Sequence, residues 1–139
     1  MRFIDANVFI HAFLDTRRQL QPHEHKIKES AKKIILRLEE GEQMATTVVH
    51  LSEVANIFES RMPPGDSLEV LSSLMSLPNL TIIGTSGEAY RSALRAAELL
   101  GLGVNDGLAY TTMTGNQIVE LYSFDKDFDR LSDLKRITT

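Results

Sequence analysis

Phe3-Ile4-Asp5-Ala6-Asn7-Val8-Phe9-Ile10 decides how the rest of the chain is read. Phe3-Ile4 is a short apolar run that stops at polar groups, and Val8-Phe9-Ile10 resumes it as helix or turn. This places Asp5 at the C-terminal edge of a strand. Near the other end, Ile118 to Phe124 is strongly strand-like and Asp125 follows it at once.

Strand and helix patterns alternate between these two points. From about Glu24 to Glu40, Ile27, Ala31, Ile34, Ile35 and Leu38 recur at helical steps and form one apolar stripe closed by Gly41. Met44 to Val49 is short and β-branched, and leads into a helical pattern with Val54, Ala55, Ile57, Phe58 and Met62 whose first turn holds Glu53. Pro63-Pro64-Gly65 breaks the chain. Leu68, Leu71, Leu74 and Met75 then mark a helix that stops near Pro78, read as core in preference to interface. Leu80 to Ile83 is a strand. Thr85 and Glu88 form a capping-box pattern ahead of the stripe Tyr90, Ala93, Leu94, Ala97 and Leu100, which ends at Gly101. Asn105-Asp106 opens a helix that runs through Thr114, and Leu134 to Thr138 is a possible edge strand. The alternation predicts an α/β sandwich on a mainly parallel sheet, in which ligands collect at the strands' carboxyl ends.

The 139 residues, 42% apolar, suit one domain spanning 1–139, with no repeat or linker to divide it. Fifteen Lys and Arg against 19 Asp and Glu give a net charge of −4, so any phosphate contact must be local or carried by metal. The absence of cysteine excludes disulfides, thiolate metal sites and cysteine nucleophiles, and points to the cytoplasm. Neither a signal peptide nor a membrane span is expected.

Taken singly, the acids are uninformative: Glu53 and Asp106 read equally well as helix N-terminal acids favoured by the dipole. Their common placement is what counts. Asp5, Glu53, Asp106 and Asp125 can all face one edge of the sheet, and clustered like charges destabilise a fold unless a cation neutralises them. Mg²⁺ or Mn²⁺ suits such oxygen ligands, and zinc suits them less well. Asp127 and Asp129 extend the acidic run after Asp125. An EF-hand starting at Asp125 fails, because Arg130 and Arg136 stand where Gly and Glu are needed. A solvated turn is the plainer reading for Asp129, while for Asp127 it weighs evenly against a metal ligand.

The segments Asp5-Ala6-Asn7-Val8-Phe9-Ile10, Ser52-Glu53-Val54, Asn105-Asp106-Gly107-Leu108-Ala109 and Ser123-Phe124-Asp125-Lys126-Asp127-Phe128 together resemble the PIN domains, and within them the small VapC-like toxin ribonucleases of toxin-antitoxin pairs. The resemblance spans nearly the whole chain. It implies a PIN-like three-layer α/β/α sandwich with metal-site positions at Asp5, Glu53, Asp106 and Asp125, an occasional fifth acid at Asp127, and supporting polar positions at Asn7 and Ser123. Ser123 stands where Thr is frequent and Gly107 where Ala is frequent. The resemblance also implies an RNA substrate, a small antitoxin that inserts into the acidic groove, and homodimerisation through helical surface.

The expected activity is therefore Mg²⁺- or Mn²⁺-dependent hydrolysis of RNA phosphodiesters, with metal held by Asp5, Asp106 and Asp125 and with Glu53 completing the shell or taking a proton. Arg17, Arg18, Arg61, Lys126 or Arg130 could steer the RNA backbone, although such side chains are more often simple surface charges. His23 and His25 lack same-face spacing, and nothing in the sequence places His11 or His50 beside a nucleophile. Three rivals are weighed against this. The first is a catalytically inactive PIN-like module that binds metal or RNA, against which the retained acids argue. The second is a phosphotransferase with Asp5 as nucleophile, against which Asn7 argues, since that chemistry wants a second Asp there. The third is a structural protein whose acids are caps.

Overall fold

The structure, a computed structural model, describes residues 1–15 and 18–139; Arg17 lies outside the described residues. Strands β1 (Arg2–Ile4), β2 (Met44–Thr47), β3 (Leu80–Ile83), β4 (Glu120–Tyr122) and β5 (Lys135–Ile137) form one sheet in the order β3-β2-β1-β4-β5, every neighbouring pair parallel. The described helices are α1 (Ala6–Phe13), α2 (Pro22–Glu39), α3 (Val48–Arg61), α4 (Pro64–Met75), α5 (Gly87–Leu100) and α6 (Val104–Gly115).

Side chains alternate across a strand, so adjacent strand residues enter different cores. Ile4, Met44, Leu80 and Tyr122 pack with Phe9, Ile34, Leu38, Val54 and Phe58 from α1, α2 and α3. Phe3, Ala45 and Leu121 pack with Ala109 and Met113 of α6 and with Phe128 and Leu131. This makes the α/β/α sandwich, with a sheet covered on both faces as parallel sheets require. No described helix is long and apolar enough to cross a membrane.

Local hydrogen bonding moves several sequence-predicted boundaries. The strand expected to run through Val49 ends at Thr47, because the Thr47 hydroxyl accepts from the His50 N–H at 3.1 Å and starts α3 at Val48. Glu53 is consequently in the second turn of α3, not the first. Helix α5 is capped by Ser86, which accepts from Ala89 N–H at 3.1 Å, in place of Thr85. Strand β4 stops at Tyr122, so Ser123 and Phe124 separate it from Asp125. On α4 only Leu74 of the apolar stripe is buried, whereas Leu68 and Met75 are 62% and 58% exposed. That stripe is narrower than its hydropathy suggested.

At Gly107, α6 packs tightly against α5. A Cβ there would stand 2.6 Å from the Ala93 carbonyl oxygen and 3.1 Å from the Ala97 Cβ. The clash is with helix backbone, which cannot swing aside, so glycine sets the distance between the helices and with it the position of Asp106 one residue earlier. We expect Gly107→Ala to lower stability by about 1–3 kcal/mol from overpacking, despite a helix-propensity gain of about 1 kcal/mol. An unchanged or higher urea midpoint would refute this account of the helix contact.

Candidate metal centre

From β1 the chain builds outward to β2 and then β3, while β4 and β5 lie on the other side of β1. The strand order therefore reverses between β1 and β4, and helices leave the carboxyl ends there in opposite directions, which opens a crevice. Asp5 follows β1 and Asp125 lies just beyond β4. Asp106 is the third residue of α6, where the exposed N–H groups of the helix start favour an anion. Glu53 comes from α3, which follows β2.

Ser123 ties the two strand ends together. Its hydroxyl donates to Asp5 Oδ2 at 2.7 Å and accepts from the Asp125 N–H at 3.0 Å and from Asn7 Nδ2 at 3.3 Å. One donor and two accepted bonds use the full capacity of a hydroxyl. Asn7 Oδ1 accepts from the Phe124 N–H at 3.3 Å, so α1 holds the β4 exit at a second point. Asp5 is buried, and its Oδ1 accepts from the Ala6 N–H at 2.8 Å as the cap of α1. Asp125 Oδ1 accepts from the Asp127 N–H at 2.9 Å, which caps the short 3-10 turn Lys126–Arg130 and brings Asp127 back toward Asp125.

Among the described residues, one carboxylate oxygen each of Asp106, Asp125 and Asp127 lies within 4.8 Å of the others. Three hard oxygen donors, two half-buried and one exposed, fit Mg²⁺ or Mn²⁺ with open positions left for water or substrate. Asp5 and Glu53 lie outside that trio, yet both act on it electrostatically. Burial first, then the charge of Asp5, a hydrogen bond with Asp125 and the charges of Asp125 and Glu53, push the Asp106 carboxyl up to about 7. Burial likewise raises Asp5 to about 6, with the Glu53 and Asp125 charges adding to it and the bonds from Ser123 and Ala6 opposing.

Three polar residues join the site that the sequence did not single out. Asn105 Nδ2 donates to Glu53 Oε1 at 2.8 Å, while Asn105 Oδ1 accepts from the Tyr90 hydroxyl at 2.8 Å. Glu53 is thus steered from α6 and α5 although it grows from α3. The signal was a lone hydroxyl on an otherwise apolar stripe. His50 is buried with Nδ1 2.6 Å from Thr47 Oγ1 and Nε2 4.0 Å from Asp5 Oδ1. Burial holds its imidazole down to about 4, offset in part by the Asn105 backbone, and among the described residues Nε2 has no hydrogen-bond partner. Of the suggested steering cations, Arg18 pairs with Glu24, Arg130 donates to the Gly101 carbonyl, and Lys126 lines a cleft beside Asp125.

Topology and crevice define an α/β domain with an acidic, cation-seeking mouth. The sequence profile of the PIN domain family matches residues 2–134, and the chain belongs to that family. Solved structures share its fold. They include VapC20 of Mycobacterium tuberculosis, a sarcin-ricin loop cleaving toxin (TM-score 0.69, 16% identity, 95% of each chain covered). A toxin-antitoxin complex from Klebsiella pneumoniae is similar (TM-score 0.67, 17% identity, 99% of this chain and 97% of that one). So is VapBC2 from Rickettsia felis bound to a DNA fragment from their promoter (TM-score 0.66, 18% identity, 98% and 96%). No curated protein matches the chain by sequence.

Asp5 and Asp106 hold protons more tightly folded than at their ordinary value of 3.8. They therefore favour the metal-free fold fully below about pH 4, and that contribution is lost as pH rises through about 6 and 7. The depressed His50 opposes this between about pH 4 and 6.5, but the two carboxyls outweigh it, so thermal melts without metal should fall as pH rises through about 6 and 7, and Mg²⁺ or Mn²⁺ at pH 8 should restore them. Asp106→Asn should raise the metal-free melting temperature at pH 8 by roughly 3–6 °C, corresponding to about 1 kcal/mol of solvent-screened repulsion, and should abolish most of the metal-induced rise. A mutant that still gains as much from Mg²⁺ as the wild type would remove Asp106 from the site.

Proposed function

We propose that this chain, one domain spanning residues 1–139, is a Mg²⁺- or Mn²⁺-dependent endoribonuclease, the toxin of a toxin-antitoxin pair acting in the cytoplasm. The observation that carries the reading is the convergence of Asp106, Asp125 and Asp127 within 4.8 Å at the switch point of a PIN-family sheet. Asp106, Asp125 and Asp127 would hold a divalent ion, which would neutralise charge on a phosphodiester and lower the pKa of a bound water. Asp5, fixed by Ser123 and Ala6, completes the negative wall and keeps Asp106 responsive to a cation. Glu53 Oε1 is held by Asn105, which leaves Oε2 to complete the shell or accept a proton from the attacking water.

The similarity to VapC20, a toxin that cleaves the sarcin-ricin loop, supports an RNA substrate. The Klebsiella pneumoniae and Rickettsia felis complexes support a small antitoxin partner. Leu68 and Met75, seven residues apart on one face of α4, offer apolar surface to a second copy of the chain and support a homodimer. A metal- or RNA-binding module without activity is the alternative, and the complete set of acids argues against it.

Incubation of total RNA with Mg²⁺ or Mn²⁺ should give discrete cuts that a chelator suppresses. Ser123→Ala should cost about 10–100-fold in activity, as expected of a partner that orients a metal-site acid, and Asp106→Asn or Asp125→Asn should cost more. Undiminished cutting by Asp106→Asn, or cutting in the presence of chelator, would rule the mechanism out.

A further inference from the structure

We propose that the cleft between the N-terminal half of α2 and the β4 exit is the channel along which a single-stranded RNA leaves the carboxylate site. The proposal rests on the ribonuclease reading above and specifies where its substrate lies. The cleft has a volume of about 610 Å³ and is lined by Lys26, Lys33, Lys126, Arg136, Glu29 and Phe124, among others. Phe124 and Lys126 flank Asp125 in the chain, and Arg136 is close enough to Asp125 to feel its charge. The cleft and the acids therefore meet at the β4 exit, where Phe124 and Lys126 line the one and flank Asp125 of the other.

The charges in the cleft have different uses. Arg136 is committed to Asp129, with both bonds at 2.9 Å, and donates to the Ser123 carbonyl, so its work is to brace the turn that carries Asp127. Lys26, Lys33 and Lys126 are exposed and form no ion pair with any described residue, against the single carboxylate of Glu29. In a chain of net charge −4 this is a local reversal of sign next to an acidic site. Phosphates need such a reversal, because the carboxylates repel every part of an RNA that a metal does not cover.

Spacing and shape favour a flexible strand. Lys26 and Lys33 are two turns apart on α2, about 10 Å along the helix axis, so they reach phosphates of different nucleotides. Phe124 is half-buried against the core, forms a T-shaped pair with His11 at 5.6 Å and lines the cleft, so an aromatic ring is available there for a base to stack on. An unpaired strand can present phosphates to the lysines and a base to the ring together. An acidic polypeptide would satisfy the lysines alone.

The test is binding of a fluorescent, unstructured RNA oligonucleotide across a salt series, in the full chain carrying Asp106→Asn so that turnover does not intrude. Lys26→Ala/Lys33→Ala/Lys126→Ala should weaken binding at least tenfold at low salt and flatten the slope of log affinity against log salt by about 2, from about 0.7 per lost single-strand contact. Lys32→Ala/Arg95→Ala/Lys135→Ala removes the same charge elsewhere and should change the slope little. An equal effect from both triple variants, no effect from the first, or equal affinity for polyglutamate of the same length would overturn the assignment. Wild type that cuts RNA with a cleft variant that binds it normally sinks the channel and leaves the ribonuclease standing. Wild type that never cuts, with a cleft variant that loses RNA, does the reverse.

Discussion

Carboxylates that repel one another are forced together at the carboxyl ends of β1 and β4, and much of the local architecture serves to hold them there. Asp5 is buried and Asp106 sits half-buried within reach of the Asp5, Asp125 and Glu53 charges. Such a cluster costs stability unless protons or a cation neutralise it. Burial first, and then the neighbouring carboxylates, raise Asp5 to about 6 and Asp106 to about 7. Around neutral pH the same demand can be met by a proton or by a metal, so the two compete.

Several of the acids are held from elements other than their own. Ser123 binds Asp5, Asn7 and the Asp125 backbone at once, which joins β1, α1 and the β4 exit through one hydroxyl. Tyr90 and Asn105 reach from α5 and α6 to orient Glu53 on α3. Gly107 lets α5 and α6 approach until a methyl group would not fit, so the residue that departs from the common alanine tightens this packing. The geometry of the acids is thus a property of contacts between layers.

Much of the fold was legible because its signals are local or periodic. The stripe from Ile27 to Leu38 has the period of a helix, and the β-branched run beginning at Met44 reads as strand, although the run continues to Val49 and the strand ends at Thr47. Boundaries were less legible. Whether Val48 belongs to β2 or α3 depends on a hydroxyl reaching an N–H three residues on, and Thr85 and Ser86 are equally good caps by composition. The exposure of Leu68 and Met75 was hidden too, because hydropathy does not say how much of a helix its neighbours cover.

The sequence by itself determined the layered α/β plan, the delivery of aspartates to the ends of apolar strands, and the deficit of basic residues that makes any phosphate contact local. Composition and periodicity are enough for these, since they follow from which residues avoid water. Only the tertiary structure decided that Asp106, Asp125 and Asp127 bring oxygens within 4.8 Å while Asp5 is fastened to Ser123, and that His50 and Asn105 stand among them. Distances of that kind join residues as much as 118 positions apart and are set by how helices pack across the sheet, which no local pattern encodes.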